Sequence, residues 1–242
     1  MTAEERVFYG IGVGPGDPSL ITLKALEILG RAPRIFAAYS TKNDYSLAEG
    51  VVKSHFPEAL VERMDFPMSR AHDILFSAWE NNARRVLEIL ESNQDAAFVT
   101  LGDPLIYSTF SYLMRTVRRF CPSVKIVTVP GITSFQASAA LCSLPLVEAE
   151  ESLHVISGAK GGANLRKVID KADNVVMLKT YRYFDDIYDT LKDLDLLDCA
   201  TSISRCGLEG EVVLTDIKSS KGKKMPYLSL IILKKKRKSL WD

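Results

Sequence analysis

The chain has 242 residues, of which 47% are hydrophobic and 25% charged, a composition that is typical of a globular protein and excludes a disordered or fibrous one. Its 31 basic and 30 acidic side chains give a net charge of +1. Because this balance leaves no overall field to attract a phosphate backbone, nucleic acid is not an expected partner.

The first part of the chain alternates short apolar runs with helical patterns, which is typical of βαβ units and predicts a mostly parallel sheet. Ser46 and Glu49 form a capping box at the start of a further element. The predicted strands cover residues 7–13, 34–39, 96–101 and 124–129, and the predicted helices cover residues 20–29, 69–92 and 110–120.

The long helix predicted over residues 69–92 is amphipathic, because apolar residues recur along one of its faces. Phe76 and Trp79 belong to this face, together with Ala83 and Val86. We expect the whole face, including its aromatic residues, to lie in the core.

An acidic segment, Glu148 to Glu151, marks the crossing into a second half and predicts two domains, residues 1–149 and 150–242. The last strands of this half follow one another without room for a helix, which predicts a mixed sheet. Its predicted strands cover residues 153–157, 174–178, 200–204, 211–217 and 227–233, and its predicted helices cover residues 163–171 and 183–194. The expected fold class is therefore a two-domain α/β protein.

Three features predict a cytoplasmic protein that does not associate with membranes. The four cysteines form no Cys-x-x-Cys pair, and three of them lie in apolar contexts typical of buried reduced thiols. The N-terminal residues are charged and lack the apolar segment of a signal peptide. The uncharged residues 126–147 are long enough to cross a bilayer, but Pro130 and Pro145 interrupt them, which predicts strand, turn and buried helix.

A glycine-rich loop, residues 10–18, follows the first strand and invites comparison with dinucleotide-binding loops. Pro15 and Asp17 occupy the positions where the last glycine of that motif would stand, and both disfavour a pyrophosphate. The second strand, which ends at Tyr39, also lacks the acidic residue that binds the ribose of NAD. The loop suits a ligand that carries no phosphate and that the backbone approaches closely. The alternative is a tight turn that binds no ligand.

Two further loops, residues 101–108 and 130–135, each follow a predicted strand. Ligands of open α/β sheets bind beyond the carboxyl ends of strands, so both loops are candidate binding segments. Taken singly, the Gly-Asp-Pro of the first is a common turn, and Ser134 of the second is a good helix cap.

In this order and at these spacings, the three loops resemble those of the tetrapyrrole methylase family, and the resemblance spans essentially the whole chain. The runs at residues 107–113, 130–134, 139–141 and 144–146 are most similar to members that methylate carbon 20 of precorrin-2 or cobalt-factor II on the way to cobalamin. Leu101 replaces the first glycine of the Gly-Gly-Asp found in uroporphyrinogen methylases, which points away from them.

The resemblance implies a class III methyltransferase fold of two α/β domains, with S-adenosylmethionine held in the cleft between them and S-adenosylhomocysteine as a product. It also implies a homodimer. The residues that match the cofactor-binding positions of the family are Pro15, Gly102, Asp103, Ile106, Thr133, Ser134, Phe135 and Met177. Met177 is equally well explained as an ordinary core residue.

The implied reaction is an in-line methyl transfer to a tetrapyrrole, in which Tyr107 is the candidate for assisting loss of the proton from carbon 20. No histidine or cysteine cluster predicts a metal site of the protein, so any cobalt belongs to the substrate. The cations expected to bind the carboxylates of the substrate are Arg70, Lys160, Lys179, Arg182 and Arg205. The alternatives are a methyltransferase of the same fold that acts on another tetrapyrrole, a protein or RNA, and a non-catalytic tetrapyrrole-binding domain.

Overall fold

The computed structural model describes residues 6–31, 34–39, 46–67, 69 and 71–235. The chain forms two compact units, Met1–Thr133 and Ser134–Asp242. This division comes earlier than the boundary expected near residue 149, because the helix that starts at Ser134 contacts the last strand of the second unit.

The first unit contains a five-stranded sheet in which every pair of neighbouring strands is parallel, as the sequence predicts. Its strand order is β3-β2-β4-β1-β5. The strands are β1 (Val7–Gly12), β2 (Arg34–Tyr39), β3 (Val61–Asp65), β4 (Ala96–Thr100) and β5 (Lys125–Val129). Because the strands are parallel, all five carboxyl ends lie at one edge of the sheet, which we call the carboxyl edge.

Helices cover both faces of this sheet. They are α1 (Leu23–Leu29), α2 (Leu47–His55), α3 (His72–Glu91) and α4 (Phe110–Phe120). One core cluster joins the sheet to α1 and α2 through residues such as Ile28 and Val52, and a second joins it to α3 and α4 through residues such as Val86 and Leu113. Burial on both faces explains why β1 and β4 are continuously apolar.

Two side-chain hydroxyls cap the N-termini of α1 and α2. The hydroxyl of Thr22 accepts a hydrogen bond from the backbone N–H of Ala25 at 3.2 Å, which caps α1. The Ser46 hydroxyl accepts from the backbone N–H of Glu49 at 3.4 Å, which caps α2. The Glu49 carboxylate pairs with Lys53 and Arg63.

The second unit contains a mixed sheet with the order β10-β9-β11-β8-β6, which confirms the prediction. Strands β6 and β8 are parallel, and the remaining pairs are antiparallel. The elements are α5 (Ser134–Leu141), β6 (Leu153–Ser157), β7 (Ala159–Gly162), α6 (Ala163–Val168), β8 (Asn174–Leu178), α7 (Phe184–Asp193), β9 (Ala200–Ser204), β10 (Val212–Leu214) and β11 (Ser229–Lys234).

Two expectations about burial are wrong. Ala83 and Val86 of α3 are buried as predicted, but Phe76 on the same face is 50% exposed, because the first half of the helix contributes no buried residue. All four cysteines are free thiols, yet only Cys206 is buried, and its burial raises the pKa of that thiol. The uncharged segment forms strand β5, a turn and helix α5, as predicted, but only Ala137, Ser138 and Ala139 of that helix are buried. No helix within the described part of the chain combines the length and hydrophobicity needed to cross a bilayer.

Candidate functional site

Three loops meet at the carboxyl edge of the first sheet. Loop 1 (residues 13–22) follows β1, loop 2 (residues 101–109) follows β4, and loop 3 (residues 130–133) follows β5. They lie side by side because β1 is hydrogen-bonded to both β4 and β5. Tyr107 and all candidate cofactor-binding residues of the first unit lie on these loops.

Backbone hydrogen bonds join loop 1 to loop 2. The N–H of Gly102 donates to the carbonyl oxygen of Gly14 at 2.6 Å, and the N–H of Val13 donates to that of Thr100 at 3.0 Å. Gly14 and Gly102 have φ angles of +83° and +72°, in the left-handed region that favours glycine. The path of both loops therefore depends on these glycines.

The carboxylate of Asp103 joins loop 2 to loop 3. Its Oδ1 accepts a hydrogen bond from the backbone N–H of Leu105 at 2.8 Å, and its Oδ2 accepts one from Gly131 at 3.1 Å. Bonds of a carboxylate to backbone N–H groups are stronger than those between neutral groups. Asp103 thus fixes the position of loop 3 relative to loop 2.

The three loops also touch through their backbones. A Cβ atom on Gly131 would lie 2.2 Å from the carbonyl oxygen of Gly102, and a Cβ on Gly12 would lie 2.5 Å from the same atom. A Cβ on Gly102, in contrast, would meet no atom within 4 Å. Gly12 and Gly131 therefore leave no room for a side chain, while Gly102 borders an open space that a ligand can enter.

Loop 2 presents apolar side chains to solvent beside this space. Leu105, Ile106 and Tyr107 are 54%, 43% and 50% exposed, and Tyr107 has a left-handed φ of +51°. The Ser108 hydroxyl anchors the end of the loop, since it donates to the Thr100 hydroxyl at 3.0 Å and accepts from the N–H that opens α4 at 3.1 Å. These three consecutive exposed residues make loop 2 a candidate ligand-binding surface.

Pro15 of loop 1 is buried, so the loop packs against neighbouring residues at this position. The Asp17 carboxylate accepts hydrogen bonds from the hydroxyl and the N–H of Ser19, both at 2.8 Å, and these bonds lower its pKa. Asp17 therefore caps the short helical turn that follows it.

The remaining predicted cofactor residues lie on both sides of the division between the units. Thr133, the last residue of the first unit, is buried and precedes α5, so the capping position falls on it rather than on Ser134. Ser134 and Phe135 form the start of α5 and are partly exposed. Met177 is fully buried in the core of the second unit, and its backbone pairs with Ile231.

Four of the five predicted substrate-binding cations lie at one edge of the second sheet. Lys160 follows β6, Lys179 and Arg182 follow β8, and Arg205 follows β9, three strands that run in the same direction. The first three are exposed and Arg205 is partly exposed. The Arg205 Nε donates to the carbonyl oxygen of Glu209 at 2.5 Å. Arg70 lies outside the described residues.

Sequence reasoning missed one candidate residue, Asp65, which ends β3 at the carboxyl edge of the first sheet. Its Oδ1 is buried and accepts no hydrogen bond from any residue that the structure describes. The strand itself was not predicted, because only Val61 and Met64 in it are apolar. Among the described residues, no three His, Cys, Asp or Glu side chains come together as possible metal ligands.

Comparison with known proteins identifies relatives over most of the chain. The family described as Tetrapyrrole (Corrin/Porphyrin) Methylases matches residues 7–219. A protein of Methanocaldococcus jannaschii named probable cobalt-precorrin-2 C(20)-methyltransferase is 39% identical over 172 residues, which are 71% of each chain. The cobalt-precorrin-2 C(20)-methyltransferase of Salmonella typhimurium is 32% identical over 229 residues, covering 94% of this chain and 95% of the relative.

A solved structure confirms the fold. The crystal structure of uroporphyrin-III C-methyl transferase from Thermus thermophilus, complexed with S-adenyl homocysteine, matches with a TM-score of 0.67 at 22% identity. The match covers 94% of this chain and 96% of that one.

Proposed function

The chain belongs to the tetrapyrrole (corrin/porphyrin) methylase family, and on that premise we propose that it methylates carbon 20 of precorrin-2 in its cobalt-bearing form, with S-adenosylmethionine as the methyl donor. The observation that carries this proposal is the identity of 32% to the Salmonella enzyme over nearly the full length of both chains. The 39% identity to the Methanocaldococcus protein supports the same substrate. The reaction belongs to cobalamin biosynthesis.

The carboxyl edge fits this cofactor. The open space beside Gly102 admits a ligand against backbone, and the exposed Leu105 and Ile106 offer apolar surface next to it. Pro15 and Asp17 disfavour a phosphate, and S-adenosylmethionine carries none. The residues that we propose to hold it are Pro15, Gly102, Asp103, Ile106 and Thr133 in the first unit, and Ser134 and Phe135 in the second. Met177 is fully buried in the core of the second unit and fits the ordinary core interpretation instead.

S-adenosylmethionine would supply an activated methyl group on a sulfonium centre, which an electron-rich carbon of the macrocycle can accept, with S-adenosylhomocysteine as the leaving group and without a metal or a covalent enzyme intermediate. The residues of the chain then mainly position the two reactants, and such positioning can lower a barrier by roughly 7–11 kcal/mol. Because both oxygens of Asp103 hold backbone N–H groups, its part is to keep loops 2 and 3 in place.

Tyr107 is the proposed group that assists loss of the proton from carbon 20. It is 50% exposed on loop 2, directly after the exposed Leu105 and Ile106, and its backbone has a left-handed φ of +51°. In single-turnover experiments Tyr107→Phe should lose rate. An unchanged rate would remove Tyr107 from the chemistry.

The cations at the edge of the second sheet are the proposed partners of the substrate carboxylates, together with Arg70. Charge reversal at Lys160 and Lys179 should weaken macrocycle binding, because both side chains are exposed at that edge. Lys171→Glu is the matched control, since this exposed lysine lies before β8 and therefore at the opposite edge. An unchanged dissociation constant in the double variant would contradict the assignment.

The test of the whole proposal is anaerobic methyl transfer from radiolabelled S-adenosylmethionine, with metal-free precorrin-2 and its cobalt complex offered side by side. We expect label in the cobalt-bearing product. Label in the metal-free product alone would overturn the choice of substrate form. Label in neither, with cofactor binding intact by calorimetry, would overturn the tetrapyrrole substrate and leave a methyltransferase of unknown acceptor.

We also propose that the enzyme acts in the cytoplasm as a homodimer. The four free thiols support a reducing compartment, and the family resemblance supports the dimer. Sedimentation equilibrium over a range of concentrations tests the second point, because a monomer at all of them would contradict it.

A further inference from the structure

The first turns of α3 extend beyond the carboxyl edge of the first sheet. The side-chain amide of Asn82 donates to the carbonyl oxygen of Asp65, the last residue of β3, at 2.8 Å. Since α3 begins after β3 and runs back along the sheet, and Trp79 still packs against the core, the extension consists of residues 72–77, about 9 Å of helix. The buried residues of α3 agree with this position, because they begin only at Ala83.

A continuous row of aromatic side chains begins on this extension and ends on α4. We call it the aromatic row; it consists of His72, Phe76 and Trp79 of α3 and Tyr112 of α4. The ring centroids of His72 and Phe76 are 6.2 Å apart, and those of Phe76 and Trp79 are 5.3 Å apart, both edge to face. Trp79 stacks on Tyr112 at 4.6 Å with an interplanar angle of 10°. The spacing of the first three residues places them on one helix face.

The aromatic row adjoins the candidate site. Tyr112 lies in the first turn of α4, directly after loop 2, whose exposed residues include Ile106 and Tyr107. Phe76 and Tyr112 are 50% and 45% exposed, so their rings are available to a ligand. At the foot of the extension lies Asp65, whose buried Oδ1 has no hydrogen-bond partner among the described residues.

We propose that the aromatic row is a stacking platform for the macrocycle. Contacts with Phe76 and Tyr112 then contribute to the preference of the site for this substrate. This inference rests on the proposed function. A conjugated macrocycle presents a large π surface, which aromatic side chains bind by offset stacking or edge contacts. Tyr112 follows loop 2 in the chain, so a macrocycle on the row would lie near the loop that contains Gly102.

The experiment compares Phe76→Ala with Ile74→Ala. Both side chains are 50% exposed and lie on the same stretch of α3. The two positions differ by about 200° around the helix, so only Phe76 belongs to the aromatic row. Thermal melting by circular dichroism first establishes that both variants are folded.

Macrocycle binding is measured through Trp79. The chain has two tryptophans, so Trp241→Phe leaves Trp79 as the only indole. In that background, anaerobic titration with precorrin-2 or its cobalt complex should quench the emission. Phe76→Ala should raise the Kd for the macrocycle about tenfold, as expected for loss of one aromatic stacking partner. The Kd for S-adenosylmethionine should stay unchanged, and Ile74→Ala should leave both constants unchanged.

Three results would overturn the inference. If the parent protein methylates a tetrapyrrole while Phe76→Ala keeps its macrocycle Kd within about twofold, the aromatic row is not part of the site and the proposed function stands. If Phe76→Ala instead dissociates an oligomer without changing that Kd, the row is a contact between copies of the chain. If the parent protein neither binds nor methylates any tetrapyrrole, the proposed function fails and the inference fails with it.

Discussion

Replacement of Gly131 by alanine tests the contact between the three loops. The new Cβ would lie 2.2 Å from the Gly102 carbonyl oxygen, about 1 Å closer than ordinary van der Waals contact, and 2.8 Å from the Cα of Gly12. Every neighbour is backbone, so no side-chain rotation relieves the clash. Loops 1 and 2 must move away from loop 3.

The size of the effect follows from two losses. Overpacking of a tight site costs about 1–3 kcal/mol. Movement of Gly131 also weakens its 3.1 Å hydrogen bond to the Asp103 carboxylate, a type of bond that contributes about 1.5–3 kcal/mol. We therefore expect Gly131→Ala to lower the free energy of unfolding by about 3–5 kcal/mol. For a chain of this size, this loss lowers the Tm by roughly 10 °C.

The assays are thermal unfolding followed by circular dichroism and calorimetric titration with S-adenosylmethionine, whose Kd should rise at least about tenfold if loop 3 helps to hold it. Gly102→Ala is the informative comparison, because its Cβ would meet no atom within 4 Å and only the φ of +72° strains it, at about 1 kcal/mol. A Gly131→Ala protein that melts within about 2 °C of the parent and binds the cofactor normally would refute this reasoning.

Further substitutions test other contacts. Asp103→Asn should lower the free energy of unfolding, measured in urea, by about 1–3 kcal/mol, because one of the two backbone N–H groups that donate to the carboxylate then loses its acceptor. An unchanged urea midpoint would contradict this. Burial opposes the charge of Glu49, but hydrogen bonds from Arg63 and Lys53 outweigh it and hold the pKa of that carboxyl below its ordinary value. Its charged form therefore stabilises the fold at neutral pH, and this contribution disappears as the pH falls through the lowered pKa. Glu49→Gln should be less stable than the parent at pH 7 by urea unfolding, with the difference shrinking below about pH 4, whereas a constant difference would exclude this linkage. Gly50→Ala should raise stability by about 0.5–1 kcal/mol, because the glycine lies inside α2 and a Cβ there meets nothing within 4 Å; a lower Tm would show that the site is constrained.

The sequence predicts those features that a segment determines by itself. Helix α4 was predicted with its observed bounds, because its apolar residues recur at helical spacing and turn residues precede it. The three loops were also recognisable, because backbone packed on backbone at Gly12 and Gly131 leaves no room for a side chain, and Gly102 has a left-handed φ of +72° that favours glycine. Here the requirement for glycine is visible in the sequence.

Features that depend on distant partners were not predicted. Strand β3 carries Glu62 and Arg63, whose charges are balanced by Arg85 of α3 and Glu49 of α2, partners that lie far away in the sequence. Likewise, the periodicity of α3 places Phe76 on the apolar face but does not reveal that the sheet ends before it. The exposure of Phe76 follows from the length of the helix relative to the strands.

Helix α3 is therefore subject to two different sets of constraints. From Ala83 onward a change of side chain disturbs the core of the first unit, whereas the preceding turns contribute no buried residue. Substitutions in these first turns can alter what the surface of the extension offers to a ligand while the sheet keeps its packing. Directed evolution toward a different flat acceptor would accordingly begin with residues 72–77, where substitutions are expected to cost the least stability.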